Sequence, residues 1–175
     1  DTVDRNTALC YAADHGHLDI VQALVTAGAN VDAGNNTSLI YASNKGYTEI
    51  VQVLLGAGAN VEALALRTRE SPLVLASGAG HLDTVRALLA GGANIDAARD
   101  SRWHDSALIS ASRKGHVDIV RELIAAGANV NLQNDMRNTA LILASKIGNA
   151  EIITALLAAG ADVNMVNQDN NTALY

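Results

Sequence analysis

One string recurs along almost the whole chain. In outline it reads G-H-x-D-I-V-x-x-L-(L/V/I)-x-A-G-A-N-V. It runs from Gly16 to Val31, Gly46 to Val61, Gly80 to Ile95, Gly115 to Val130 and Gly148 to Val163. A chain that repeats itself in this way is an array of small stacked units, each touching only its neighbours. Such an array works through a continuous outer surface, not through an enclosed pocket. Aromatic residues make up only 3 % of the chain and Phe is absent, while Ala, Leu, Val and Ile are plentiful. Small side chains suit helices packed very close together, so the core should be elongated.

Each unit opens on a T-A-L-like tripeptide: Thr7-Ala8-Leu9, Thr37-Ser38-Leu39, Ser71-Pro72-Leu73, Ser106-Ala107-Leu108, Thr139-Ala140-Leu141 and Thr172-Ala173-Leu174. The single domain 1–175 therefore divides into units 7–36, 37–70, 71–105, 106–138 and 139–171, with a truncated sixth unit, 172–175. Thr or Ser at the start is a helix N-cap whose hydroxyl accepts a first-turn N–H. The short apolar helix that follows should stop at the glycine of the G-H pair, which can turn left-handed. A second helix, from about Leu18 to Ala27, carries an acid in its first turn in every unit: Asp19, Glu49, Asp83, Asp118 and Glu151. Those carboxylates face the positive end of the helix dipole. Ile20/Val21 with Leu24/Val25 form an apolar face that recurs along the chain. In the third unit Thr84 breaks that row, which should weaken packing there. Helices this short do not persist alone in water, so stacking must hold them.

The pattern T-x-L-x-x-A-x-x-G-H-x-x-I-V-x-x-L-L-x-x-G-A-N-V-N, at a period of about 33 residues, resembles the ankyrin repeat over essentially the whole chain. The resemblance implies an all-α ankyrin-repeat solenoid of stacked antiparallel helix pairs. It also implies projecting β-hairpin fingers and a concave groove formed by fingers and inner helices. The family's T-P-L-H keeps its proline only at Pro72, and its histidine is replaced by Cys10, Ile40, Val74, Ile109 and Ile142. The glycine usual in the finger turn is replaced by Arg5, Asn35, Arg69, His104, Arg137 and Asn170. Asn tolerates a positive φ fairly well and Arg less so, which leaves finger geometry the open question.

Chemistry-bearing clusters are sparse. His17, His81 and His116 lie one per unit, too far apart in sequence for a zinc site, and each should hydrogen-bond the turn beside it. The lone Cys10 lies in an apolar run and reads as a small buried residue. The glycines stop helices and form no phosphate loop. Neither a catalytic residue, a metal site nor a cofactor is expected, and the chain reads as a non-enzyme. Residues 67–121 hold eight Lys and Arg against six acids, and the rest holds four against twelve. That mildly basic middle leaves room for a local acidic partner. The overall net charge of −6 argues against nucleic acid. No segment is apolar and long enough for membrane insertion, and an intracellular, cytoplasmic or nuclear setting fits an unpaired cysteine. The opening Asp1 suggests an excerpt of a longer protein.

Residues that do not repeat should form the recognition surface. In the groove these are Tyr41, Lys45, Gly78, Arg113, Lys114 and Lys146, with Gly78 leaving a shallow dip between basic neighbours. On the fingers they are Arg67, Arg69, Arg102, Trp103, His104 and Met136, and the two fingers between Gly58 and Ser106 are enlarged. Trp and Arg are the residues most enriched at interface hot spots. The expected function is a non-catalytic protein–protein interaction module, a segment of a scaffold or adaptor. Its expected partner is a protein or peptide with acidic and apolar groups. The alternative is an array that recruits substrate to a catalytic domain outside this chain. The resemblance further makes Asn131 and Asn164 candidate asparaginyl hydroxylation sites, because they match the last Asn of G-A-N-V-N.

Overall fold

The computed structural model describes residues 7–34, 37–97 and 104–174. Among them are ten α-helices and no strand. They form five pairs: α1 (Ala8–Asp14) with α2 (Leu18–Thr26), α3 (Thr37–Lys45) with α4 (Thr48–Gly56), α5 (Pro72–Ala79) with α6 (Leu82–Ala90), α7 (Ala107–Lys114) with α8 (Val117–Ala125), and α9 (Ala140–Ile147) with α10 (Ala150–Ala158). The helices of each pair pack together. Odd-numbered helices also pack on one another in chain order, and even-numbered helices do the same. The chain is thus a two-row solenoid with an inner row of odd helices and an outer row of even ones.

The helix starts follow from the tripeptides. Thr7, Ser71, Ser106 and Thr139 accept the N–H groups of Cys10, Val74, Ile109 and Ile142 at 3.2–3.4 Å. Thr37 differs. It is the first residue of α3, and its hydroxyl donates to Cys10 Sγ at 2.9 Å. Cys10 is buried as expected, yet it is not simply apolar. Thr7 and Ser38 also donate to its sulfur, and its own S–H points at Ala33 O. Burial pushes the thiol pKa up, but the hydroxyls of Ser38, Thr37 and Thr7 pull it below the ordinary value.

The core is a ladder of equivalent positions. Leu9, Leu39, Leu73, Leu108 and Leu141 are all buried, and so are Ala12, Ala42, Ala76, Ala111 and Ala144 beside them. The alanines let neighbouring inner helices approach closely. On the outer row Val21, Val51, Val85 and Val120 are fully buried. Thr84 is fully buried too, and its hydroxyl pairs with that of Thr48 at 2.8 Å. The expected weak point is therefore a bonded one, because the neighbouring unit supplies a matching hydroxyl.

The glycine of the G-H pair stops its helix and also makes room for the next unit. A Cβ on Gly46 would lie 2.5 Å from the His81 ring, and one on Gly80 would lie 2.8 Å from the His116 ring. Gly16 makes the same room for Tyr47. From these seats His81 and His116 bring Nε2 to 3.1 Å from the carbonyl oxygens of Asn44 and Gly78. The imidazoles therefore bond the preceding unit and not their own turn. Each stands at the start of an outer helix, facing its neighbour's glycine.

The expected β-hairpin fingers are, among the described residues, tight turns without a strand ladder. Ala65 N–H donates to Glu70 O at 3.0 Å, Asn134 N–H to Asn138 O at 3.1 Å and Asn167 N–H to Asn171 O at 3.0 Å. Each of these turns closes through a left-handed residue: Arg69 (φ 60°), Arg137 (φ 58°) and Asn170 (φ 60°); His104 (φ 48°) takes the same slot in its unit. The four positions that replace the family's turn glycine thus keep the conformation glycine would have had. The equivalent Arg5 and Asn35 lie outside the described residues.

Two predictions follow from these backbone positions. Gly58→Ala meets open space at φ +86° and should cost only the left-handed strain, about 1–2 kcal/mol. Gly46→Ala, at φ +76°, must also displace the His81 ring and should lose about 1 kcal/mol or more beyond that. Equal losses in urea melts of the two variants would show that the ring seat is unimportant. Arg137→Gly removes strain of about 1–2 kcal/mol and adds about 0.4–1 kcal/mol of unfolded-state freedom. The net gain should raise the midpoint of thermal unfolding by about 2 °C, read by circular dichroism.

Candidate interaction surface

Beyond the helices, side chains join each unit to the next. Asp32 accepts the N–H of Asn60 at 2.9 Å, and Glu62 that of Asn94 at 2.7 Å. Asp96 accepts from Asn129 at 3.0 Å, and Asn131 from Asp162 at 2.8 Å. The acid or amide after each A-N-V thus caps the same amide one unit on. The A-N-V string marks the place in each unit, but nothing local shows that the side chain after it reaches the next unit. Asn131, one of the two candidate hydroxylation positions, is a member of this spine and also donates to Gly160 O at 3.4 Å. The other, Asn164, is exposed.

A second set of bonds links the fingers. Asn134 is buried, and its Oδ1 accepts the N–H groups of Met136 and Asn138 at 3.1 and 2.9 Å. Its Nδ2 donates to Asp105 Oδ1 at 2.8 Å. Asn167 repeats the arrangement one unit later, accepting from Asp169 and Asn171 and donating to Asn138. The signal was present as Asn134…Asn138 and Asn167…Asn171, two amides four residues apart about each turn. That spacing alone does not show that the first amide folds back to close its own turn, since the turn's φ is decided at the position between them.

Asp105 is the one carboxylate in that set, and it is buried. Burial raises its pKa; the hydrogen bond from Asn134 and the adjacent Arg113 guanidinium lower it, and burial wins. Arg113 Nη2 meets Asp105 Oδ2, while Arg113 Nε is buried with no hydrogen-bond partner among the described residues. The Arg113 charge is therefore engaged at the base of a finger.

The other groove candidates are scattered along the inner row. Tyr41 is half-buried on α3, and Lys45 pairs with Asp14 at 3.3 Å. Ser110 Oγ lies 2.5 Å from where a Gly78 Cβ would be, so the expected dip is filled by the next inner helix. Lys114 and Lys146 are exposed. On the fingers Arg67 and Arg69 are exposed, and His104 Nδ1 bonds Asp135 Oδ2 of the next finger. Met136 is 42 % exposed. Arg102 and Trp103 lie outside the described residues. The structure thus gives no single cluster containing all the named positions. It brings together Met136 and Lys146, which line one cleft, and ties Arg113 to Asp105. Among the described residues no group of three or more His, Cys, Asp or Glu is placed to hold a metal ion. No helix there is long and apolar enough to cross a membrane.

The family model described as ankyrin repeats, in 3 copies, matches residues 1–65, 64–134 and 120–175. The chain belongs to the ankyrin-repeat family. No curated protein matches it. Ankyrin repeats are generally protein–protein interaction modules, and an ankyrin-repeat domain is typically non-catalytic.

The Asp105–Arg113 pair generates a test of its own. Arg113→Ala leaves a buried carboxylate without its cation and should cost about 2–4 kcal/mol near pH 7, less than a wholly buried pair because Arg113 reaches solvent. The folded-state pKa of Asp105 already lies above its unfolded value, and the substitution raises it further. The folded variant then holds the proton more tightly than the unfolded chain, so acidification favours folding at this site. The deficit relative to the parent protein should therefore shrink as the pH is lowered from neutrality towards the ordinary carboxylate range. A deficit independent of pH in paired urea titrations would show that Asp105 does not carry the cost.

Proposed function

We propose that this ankyrin array is a non-catalytic interaction module. It binds a protein or peptide through its groove and fingers, as a segment of an intracellular scaffold or adaptor. One observation carries the reading. The side chains that repeat from unit to unit, such as the Leu and Ala ladders of the inner helices, are buried. Several of those that vary on the inner row, among them Tyr11, Lys114, Lys146 and Ile147, are exposed. Repetition is used up in holding the stack, and variety is displayed outward, as a surface specific to one partner requires. The outer row offers less. Its arginines are engaged: Arg86 with Glu122 at 2.7 Å and Asp83 at 3.5 Å, and Arg121 with Glu151 at 3.2 Å and Asp118 at 3.9 Å.

Affinity capture from cell extract, followed by titration of the captured protein, tests this. Trp103→Ala should weaken binding by about 2 kcal/mol if it is a hot spot, and Lys114→Glu should weaken it as well. Arg86→Ala on the outer row should leave it unchanged. Loss on Arg86→Ala with full binding by the other two variants would place the surface on the opposite face and refute the reading.

A further inference from the structure

Buried hydroxyls in this chain are bonded, except on one row of the inner helices. Thr37, Ser38, Ser71, Thr84, Ser106 and Thr139 each have a partner, at Cys10, at Thr48 or as a helix cap. Ser43, Ser77 and Ser112 have none among the described residues, although all three are fully buried. They hold the same slot on α3, α5 and α7, directly after the ladder alanines Ala42, Ala76 and Ala111. In the first unit that slot is Ala13, equally buried, so packing does not require the hydroxyl. A buried hydroxyl without a partner costs free energy that alanine would not. Beside Ser77 stands a second weakness, Gly78, the last residue but one of α5. Glycine is a poor helix former, and Gly/Ser pairs are recurrent sites of helix kinks. The next unit grips this turn. Ser110 Oγ lies 2.5 Å from where a Gly78 Cβ would be, and His116 Nε2 lies 3.1 Å from the Gly78 carbonyl oxygen. Movement of the turn therefore carries α7 and α8 with it. Because α5 is the third of five inner helices, the movement tilts one half of the array against the other.

We propose that the Ser77-Gly78 turn is a hinge at which the inner row changes curvature, with Ser43 and Ser112 softening the helices on either side. In the observed arrangement Ser77 Oγ is unbonded. The acceptor within easiest reach of a helical serine is the carbonyl four residues earlier, here that of Leu73, and bonding it bends the helix. The bent arrangement gains a hydrogen bond that the straight one lacks, which offsets what bending loses. The two arrangements therefore lie close in free energy. Alanine in the slot, as in α1, offers no such exchange. A hinged array fits its concave face to a partner by moving two blocks, with neither block unfolding. The inference concerns the array itself and holds whichever partner the groove takes.

Two measurements on the whole chain test the hinge. In native-state hydrogen exchange, the amides of the last turn of α5 should exchange through a local opening. Such an opening exposes little surface, so it responds weakly to low urea. Ser77→Ala should slow that exchange about fivefold and raise the urea midpoint of unfolding. Ser43→Ala and Ser112→Ala should raise the midpoint as well, whereas Ser38→Ala removes a bonded hydroxyl and should lower it. Spin labels on Tyr11→Cys and Ile147→Cys, exposed positions on opposite halves of the inner row, read the curvature directly. Cys10 is buried and stays unlabelled. The distance distribution should be broad in the parent chain and narrower with Ser77→Ala added. A distribution of unchanged width would overturn the hinge. So would a lowered midpoint for Ser77→Ala, or α5 amides that exchange only with the urea response of global unfolding.

Discussion

Helices of seven to nine residues cannot hold themselves together in water, and the described residues contain none longer. Everything else in this protein depends on contact between one unit and the next. Three repeated devices make that contact. Leucine and alanine ladders bury the apolar faces of the inner row. The glycine at the end of an inner helix leaves a seat for the ring at the start of the next outer helix, and two of those rings reach a carbonyl of the unit before. An acid or amide after each A-N-V accepts a backbone N–H from the following unit. Each device acts between neighbours only, so stability accumulates along the stack unit by unit.

The same constraint decides which residues remain for recognition. A position needed for stacking can vary only together with its partner in the adjoining unit, as Thr84 does with Thr48. Exposed inner-row and finger positions carry no such duty and are free to differ. Even there the fold claims some charges for itself. Asp105 is buried and would be costly without Arg113, so Arg113 serves the finger base. His104 and Asp135 tie two fingers together. The basic character of the middle of the chain is thus partly consumed internally, and the uncommitted lysines are Lys114, next to Arg113 on α7, and Lys146 on α9.

Much of the frame was legible in the residues. The Thr and Ser caps, the first-turn acids and the helix-stopping glycines are local features, decided within a few residues by backbone geometry and hydrogen bonding. The left-handed conformations at Arg69, His104, Arg137 and Asn170 were left open by the residues, because Arg and His tolerate a positive φ poorly; the closed turn imposes it on whatever residue fills the slot. Pairing across units was not legible. Thr84 looked like a defect until Thr48 was found opposite it. Cys10 read as a plain apolar filler, but three hydroxyls converge on its sulfur, two of them from the next unit. Gly78 suggested an empty dip, which Ser110 of the following helix occupies.

The sequence by itself determined the unit, its length and the order of its two helices, because those rest on interactions spanning a few residues and recurring with a fixed period. Only the tertiary structure decided which polar side chains were already spent. Lys45, Arg113 and His104 look as available in the sequence as Lys114 and Lys146, since nothing local distinguishes one exposed cation from another. Their partners are Asp14, Asp105 and Asp135, and for Lys45 and His104 that partner lies about a whole unit away along the chain. The stacking angle of one unit on the next brings those carboxylates within reach, and a linear pattern of residue types carries no record of that angle.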